Sequence, residues 1–220
     1  MLAQNSWGPP TRSSEERPAR APRTLLYPAV IVAWLASVLG GFVWLSAYKA
    51  TPGPTAGESP SRWPVDSRIP RDPDRATLIL FAHPHCPCTR ASVSELARLM
   101  GRLPGRLSAR VMFLRPSDVH EGWEHTDLWQ TVSTIPGAAA FRDDDGVEAA
   151  RFGAATSGFT VVYDAQGNLL FRGGLTASRG HEGDSFGQRR VVSLLTTGAA
   201  DRSDSPVFGC ALGSHPTVAP

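Results

Sequence analysis

Hydrophobic positions along the chain fall into three regimes. Leu25 to Tyr48 is 24 residues without a formal charge, rich in Leu, Val, Ala and Trp. At helical rise it spans about 36 Å, enough to cross a bilayer core, so it predicts a transmembrane helix over 25–48. In residues 49–75 six prolines (Pro52, Pro54, Pro60, Pro64, Pro70, Pro73) break any periodic pattern, which predicts a Pro-rich linker acting as a semi-rigid tether. A globular domain over 76–198 follows. Within it Thr77–Phe81 reads as a buried strand, Thr89–Leu103 as a helix with Ser92 and Glu95 as an internal capping pair, and Leu107–Leu114 as a second strand. The pattern continues with a helix around Glu124–Ser133. A hairpin of Gly158–Asp164 and Asn168–Phe171 turns at Ala165-Gln166-Gly167, and a last helix, Ser185–Thr197, begins behind Asp184 and ends at Gly198. Residues 199–220 are too polar and Pro-rich for a core element and form a C-terminal tail, although Val207–Leu212 is apolar enough to dock.

Charge adds direction to this layout. Arg12, Arg17, Arg20 and Arg23 precede the span, and only Lys49 lies close behind it, so the positive-inside rule makes residues 1–24 a cytoplasmic basic tail. The folded domain is then expected outside the cytoplasm, with membrane lipid as the partner of residues 25–48. The span is longer than the apolar core of a secretory signal, which favours a retained single-pass anchor. A net charge of +2, from 22 basic and 20 acidic residues, offers no field of the kind that holds nucleic acid.

The chemistry concentrates at His83-Pro84-His85-Cys86-Pro87-Cys88-Thr89, between the first strand and the first helix. A helix N-terminus presents free N–H groups and the positive end of the macrodipole, both of which favour a thiolate. His83, His85 and Arg90 flank the cysteines and can supply cationic character, so Cys86 is expected to be reactive. Asp143-Asp144-Asp145-Gly146 lacks the spacing and terminal Glu of a calcium loop and reads as a turn.

With Phe81 at the strand end, Cys86 at the loop, and Arg90-Ala91 and Leu96 in register behind it, the chain resembles the thioredoxin-like superfamily, and especially its membrane-tethered, extracytoplasmic TlpA-like members. The Cys-Pro-Cys and the glycine-rich loop at 173–184 also resemble the pattern of RedB-like proteins. The resemblance implies an α/β thioredoxin-like sandwich, a central mixed sheet flanked by helices, over roughly 76–198, with Pro136–Gly153 unmatched. It further implies a bacterial inner-membrane protein with a periplasmic or other extracytoplasmic domain. Two departures stand out. Thr89 occupies the family's second cysteine position, the second thiol having moved to Cys88, and Thr156-Ser157-Gly158 occupies the place of the family's cis-proline. In this fold the second hairpin strand returns to the active-site end. The loop bearing Thr176, Arg179 and His181 is therefore expected near Cys86, with Arg179 and His181 placed to lower a thiol pKa or position a partner.

Three functions are compatible with these residues. The first is a thiol–disulfide oxidoreductase acting without a cofactor on a protein thiol or disulfide partner. In it Cys86 attacks, Cys88 or Cys210 resolves, and His83, His85, Thr89, Arg90, Ser157, Thr176, Arg179 and His181 surround the thiols. The second is a copper or zinc module built from His83, His85, Cys86, Cys88 and His181. The third is a scaffold that keeps the fold alone. Cys210, in the tail, is either the resolving thiol or an incidental residue.

Overall fold

The computed structural model describes the backbone of residues 23–54 and 57–213 and side chains from Leu26 onward. Arg12, Arg17 and Arg20, on which the expected orientation rests, lie outside the described residues. The chain divides into two units, Met1–Leu45 and Ser46–Pro220. The first is dominated by helix α1, Arg23–Ala50, whose stretch Leu26–Ala50 is long and apolar enough to cross a membrane. Its Leu, Val, Trp and Phe side chains are exposed, as an apolar helix suited to lipid requires.

The second unit is built on a five-stranded sheet in the order β3-β2-β1-β4-β5. The strands are β1 (Ala76–Ala82), β2 (Leu107–Arg115), β3 (Ala138–Asp144), β4 (Phe159–Tyr163) and β5 (Leu169–Gly174). β1 pairs parallel with β2 and antiparallel with β4; β2 and β3 are parallel, and β4 and β5 form the antiparallel hairpin. Every residue of β1 is buried, which explains why Thr77–Phe81 reads as a continuous apolar run and not as an alternating one. One face of the sheet packs Leu78, Leu80, Val111 and Phe113 against Leu96 and Leu99 of α2 (Pro87–Arg102), Leu128 and Val132 of α3 (Asp127–Thr134) and Val191 of α5 (Phe186–Thr197). The other packs Ile79, Phe81, Val161 and Tyr163 against Phe152 and Ala149, the latter in the short α4 (Val147–Arg151).

Three local expectations need correction. The stretch read as a tether is partly built into the domain. Ile69 is 4% exposed in the second core cluster, and the Trp63 ring packs edge-on at 5.4 Å from Phe152 and 5.3 Å from Tyr163. Its prolines do not prevent pairing with the hairpin turn: Trp63 N donates to Gly167 O, Leu169 N to Ser61 O, and Tyr163 Oη to Pro60 O. The unmatched Pro136–Gly153 segment supplies edge strand β3 and helix α4. Its Ala138-Ala139-Ala140 start lacks the β-branched residues by which a strand is usually recognised. The turn falls at Asp145-Gly146, directly after β3, and the carboxylate of Asp143 in the strand accepts from Glu148 N and Ala149 N, satisfying open donors of α4.

The third correction concerns the start of α2. Ser92 and Glu95 do not cap α2, which begins at Pro87; both are buried in its interior. Glu95 accepts from Gly183 N, Gln188 Nε2 and the Arg98 guanidinium, tying α2 to α5 and to the loop before it. α5 is capped by Ser185, one residue after Asp184, whose hydroxyl accepts from Gln188 N, and it ends as expected on Gly198 at φ +77°.

Because Ile69 fills the lower core, Ile69→Ala in the full chain should destabilise the domain by about 3 kcal/mol, a typical cost for emptying a core aliphatic site. Denaturant unfolding followed by tryptophan fluorescence measures it. Loss of under about 0.5 kcal/mol would restore the tether reading.

Candidate functional site

The end of β1 delivers the chain into a tight turn, with Cys86 N donating to His83 O at 3.1 Å, and α2 starts immediately afterwards. Cys86 is the N-cap of α2, its backbone extended, with Pro87 at the first helical position, where the missing N–H costs nothing. No side chain caps this end, so the exposed N–H groups of the first turn face the Cys86 sulfur. Burial acts to raise the Cys86 pKa. Hydrogen bonds from the Cys210 thiol and from the backbone N–H groups of Cys210, Cys88 and Thr89 outweigh it and hold Cys86 below the usual thiol range.

The partner of Cys86 comes from the far end of the chain. Cys210 Sγ lies 2.8 Å from Cys86 Sγ, and both cysteines are free thiols. The bond suits either sulfur as donor; since Cys86 is the more acidic, Cys210 holds the proton. Burial, the hydrogen bond to Cys86 and the charge on Cys86 push the Cys210 thiol up to about 12. Cys88 is half-buried and also raised, by burial and by the neighbouring Cys86 charge. Of the three thiols, Cys86 is held low, and Cys88 and Cys210 are held high.

The tail holds Cys210 there by pairing with the loop before β4. Ser157 N donates to Cys210 O and Leu212 N to Ala155 O, both at 2.8 Å, and Thr156 bridges antiparallel to Ala211. Gly209 has no room for a side chain: a Cβ there would meet Ser157 O at 1.9 Å. Gly53 N donates to Val207 O, so the segment after α1 also secures the tail.

Ser157 is the joint of the site. Its hydroxyl accepts from His83 N at 2.9 Å and shares a 2.8 Å bond with the Thr89 hydroxyl, which donates to His83 O. Thr89 thus fastens the loop and contributes no thiol.

Of the other expected residues, Arg179 reaches the site and His181 does not. Arg179 Nη1 donates to Gly209 O, and its charge lowers the Cys88 and Cys210 pKa values, partly offsetting burial. Its backbone N–H donates to Lys49 O, and its guanidinium lies 5.0 Å over the Tyr48 ring. His181 is exposed and shares no hydrogen bond with a described cysteine. Thr176 is buried in the same loop. Arg90 points away, in an exposed ion pair with Asp127 at 2.7 Å. His83 and His85 pack their rings on Trp123, at 5.4 and 4.5 Å, and His85 Nε2 lies 3.1 Å from Trp123 O. The causes that lower the Cys86 pKa are thus hydrogen bonds from Cys210 and from the first turn of α2. Trp123 and Gly209 carried no signal in the sequence, since neither lies near the cysteine motif. Among the described residues no group of three or more His, Cys, Asp or Glu side chains is arranged to hold a metal ion. The copper or zinc set of His83, His85, Cys86, Cys88 and His181 is therefore not assembled.

Sheet order, mixed strand directions, helices on both faces and a cysteine at the β1–α2 junction make the fold thioredoxin-like. No family model matches the chain, and no curated protein matches it significantly. Solved structures do. An uncharacterized conserved protein from Geobacillus kaustophilus matches at TM-score 0.53 and 20% identity, covering 77% of this chain and 95% of its own. A hypothetical protein from Sinorhizobium meliloti 1021 matches at TM-score 0.55 and 17% identity, over 76% of this chain and 99% of its own. A secreted Mycobacterium tuberculosis disulfide oxidoreductase homologous to E. coli DsbE matches at TM-score 0.39 and 15% identity, over 56% and 81%.

Since a Cβ at residue 209 collides with the Ser157 carbonyl, Gly209→Ala should lift the tail from the rim. Cys86 alkylation at neutral pH should then quicken by about tenfold or more, because a cost of about 1.4 kcal/mol to the docked state is already tenfold in population. Mass-spectrometric timing of Cys86 labelling in the full chain reads this. An unchanged rate would show that the tail does not cover Cys86.

Proposed function

We propose that this protein is a membrane-anchored, extracytoplasmic thiol–disulfide oxidoreductase whose redox couple is Cys86 and Cys210. The observation that carries the reading is the 2.8 Å approach of the two sulfurs at the N-terminus of α2. The α1 helix supplies a candidate anchor, and the arginines before it favour a cytoplasmic N-terminus with the domain on the opposite side. In exchange with a partner disulfide, the two thiols close one S–S bond and give up two electrons and two protons. The partner disulfide breaks and receives them as two thiols; the opposite direction uses the same atoms.

The thiol pKa values are set for such exchange. Hydrogen bonds hold Cys86 below the usual thiol range, which favours it as the leaving sulfur, and the charge on Cys86 is one of the causes that hold Cys210 high. Arg179 acts against the burial that raises Cys210. Cys88, one residue from Pro87 and two from Cys86, would have to close a loop over a single residue, a strained geometry for a disulfide.

The cysteine variants of the full chain test this reading, with dithiothreitol as reductant and glutathione disulfide as oxidant. Cys86→Ser and Cys210→Ser should each abolish turnover between the two, by about 100-fold or more, as expected when a coupled pair loses one member. Cys88→Ser should stay within about threefold of wild type. Full turnover in Cys210→Ser, or its loss in Cys88→Ser, would assign the second thiol to Cys88 instead.

A further inference from the structure

Resting on the reading of Cys86 and Cys210 as the redox couple, we propose that the oxidised pair exchanges with its thiol partner at Cys210, so that the mixed disulfide forms on the tail and not on Cys86. The sequence pattern puts Cys86 in that role; access in the folded protein reverses it. Cys86 is 3% exposed, enclosed by the first turn of α2, the Ser157 rim and the tail, whereas Cys210 is exposed. A thiolate must reach the sulfur it attacks, and of the two residues of the pair Cys210 is the one with exposed surface.

The tail also stays in place when the bond opens. Phe208 and Gly209 are buried, and the segment is held on both sides of Cys210. Gly53 N bonds Val207 O, Arg179 grips Gly209 O, Ser157 N bonds Cys210 O and Leu212 N bonds Ala155 O. None of these contacts involves a sulfur. Opening the S–S bond from outside therefore leaves Cys210 at the surface carrying the partner's sulfur, with Cys86 still sheltered beneath it.

The step balances as a simple exchange. A partner thiolate RS⁻ attacks Cys210 Sγ, an R–S–S–Cys210 bond forms, the Cys86–Cys210 bond breaks, and the electron pair leaves on Cys86 as its thiolate. Cys86 is the better leaving group because the backbone N–H groups of Cys88 and Thr89 remain aimed at it. A second partner thiol then attacks the R sulfur, giving the oxidised partner and Cys210, which takes up the proton that thiol surrenders. The class of partner that fits is a dithiol presenting its attacking sulfur at a protein surface, not a narrow peptide threaded toward Cys86.

The full chain in detergent, oxidised and then mixed with glutathione, provides the test. Acid quenching at increasing times, labelling of free thiols with N-ethylmaleimide and peptide mass mapping locate the first adduct. Glutathione should appear first on Cys210 and maleimide on Cys86, by about tenfold or more over the reverse. The same distribution is expected in Cys88→Ser, which removes the third thiol as a route of migration. Glutathione found first on Cys86, or equally on both, overturns the proposal while leaving the redox couple intact. A starting protein with no Cys86–Cys210 disulfide overturns the couple itself, and the proposal with it.

Discussion

The site depends on a short backbone ladder between the tail and the loop before β4. Two N–H···O bonds, Ser157 to Cys210 and Leu212 to Ala155, together with the bridge at Thr156 and Ala211, fix where the third cysteine sits. Such bonds contribute only about 1 kcal/mol each. Their importance is geometric: they bring residue 210 to residue 86 across 124 positions of sequence. Gly209 is required for the same reason, since only a residue without Cβ lets the tail lie against the Ser157 carbonyl.

That ladder divides the labour among the thiols. The helix start and the rim hold Cys86 in the interior as the acidic thiol, and the tail presents Cys210 as the basic one. Thr89 is part of the clasp between His83 and Ser157. The thiol beside Cys86 is thus supplied by the tail and not by the helix turn. Cys88 has its thiol raised by burial and by the Cys86 charge, with Arg179 acting against both.

Much of this fold was legible in the sequence because its signals are local. The apolar run of β1, the Ala165-Gln166-Gly167 turn of the hairpin and the Gly198 stop of α5 each follow from neighbouring residues. The cysteine motif likewise falls at a strand-to-helix junction that local pattern predicts. Long-range placement was not legible. Ile69 and Trp63 join the core through contacts with residues about a hundred positions away, which a proline count cannot reveal. β3 went unrecognised because an alanine edge strand looks like neither an alternating nor a continuous apolar run. For the same reason the sequence left Cys210 open between a resolving thiol and an incidental residue, and it did not separate Arg179, which bonds Gly209 O, from the exposed His181 and from Arg90, which pairs with Asp127. Strand direction correctly brought the glycine-rich loop to the thiols, but not which of its side chains turns inward.

The central claim is that the docked Cys210 thiol stabilises the Cys86 thiolate. The most direct measurement is thiolate absorbance at 240 nm against pH in the reduced full chain, for wild type and Cys210→Ala. Wild type should show one thiol ionising below the usual thiol range and two above it. In Cys210→Ala the low step should move upward, because the thiolate loses a hydrogen-bond donor while its burial persists. A low step that is absent in wild type, or that stays at the same pH in Cys210→Ala, would contradict the account.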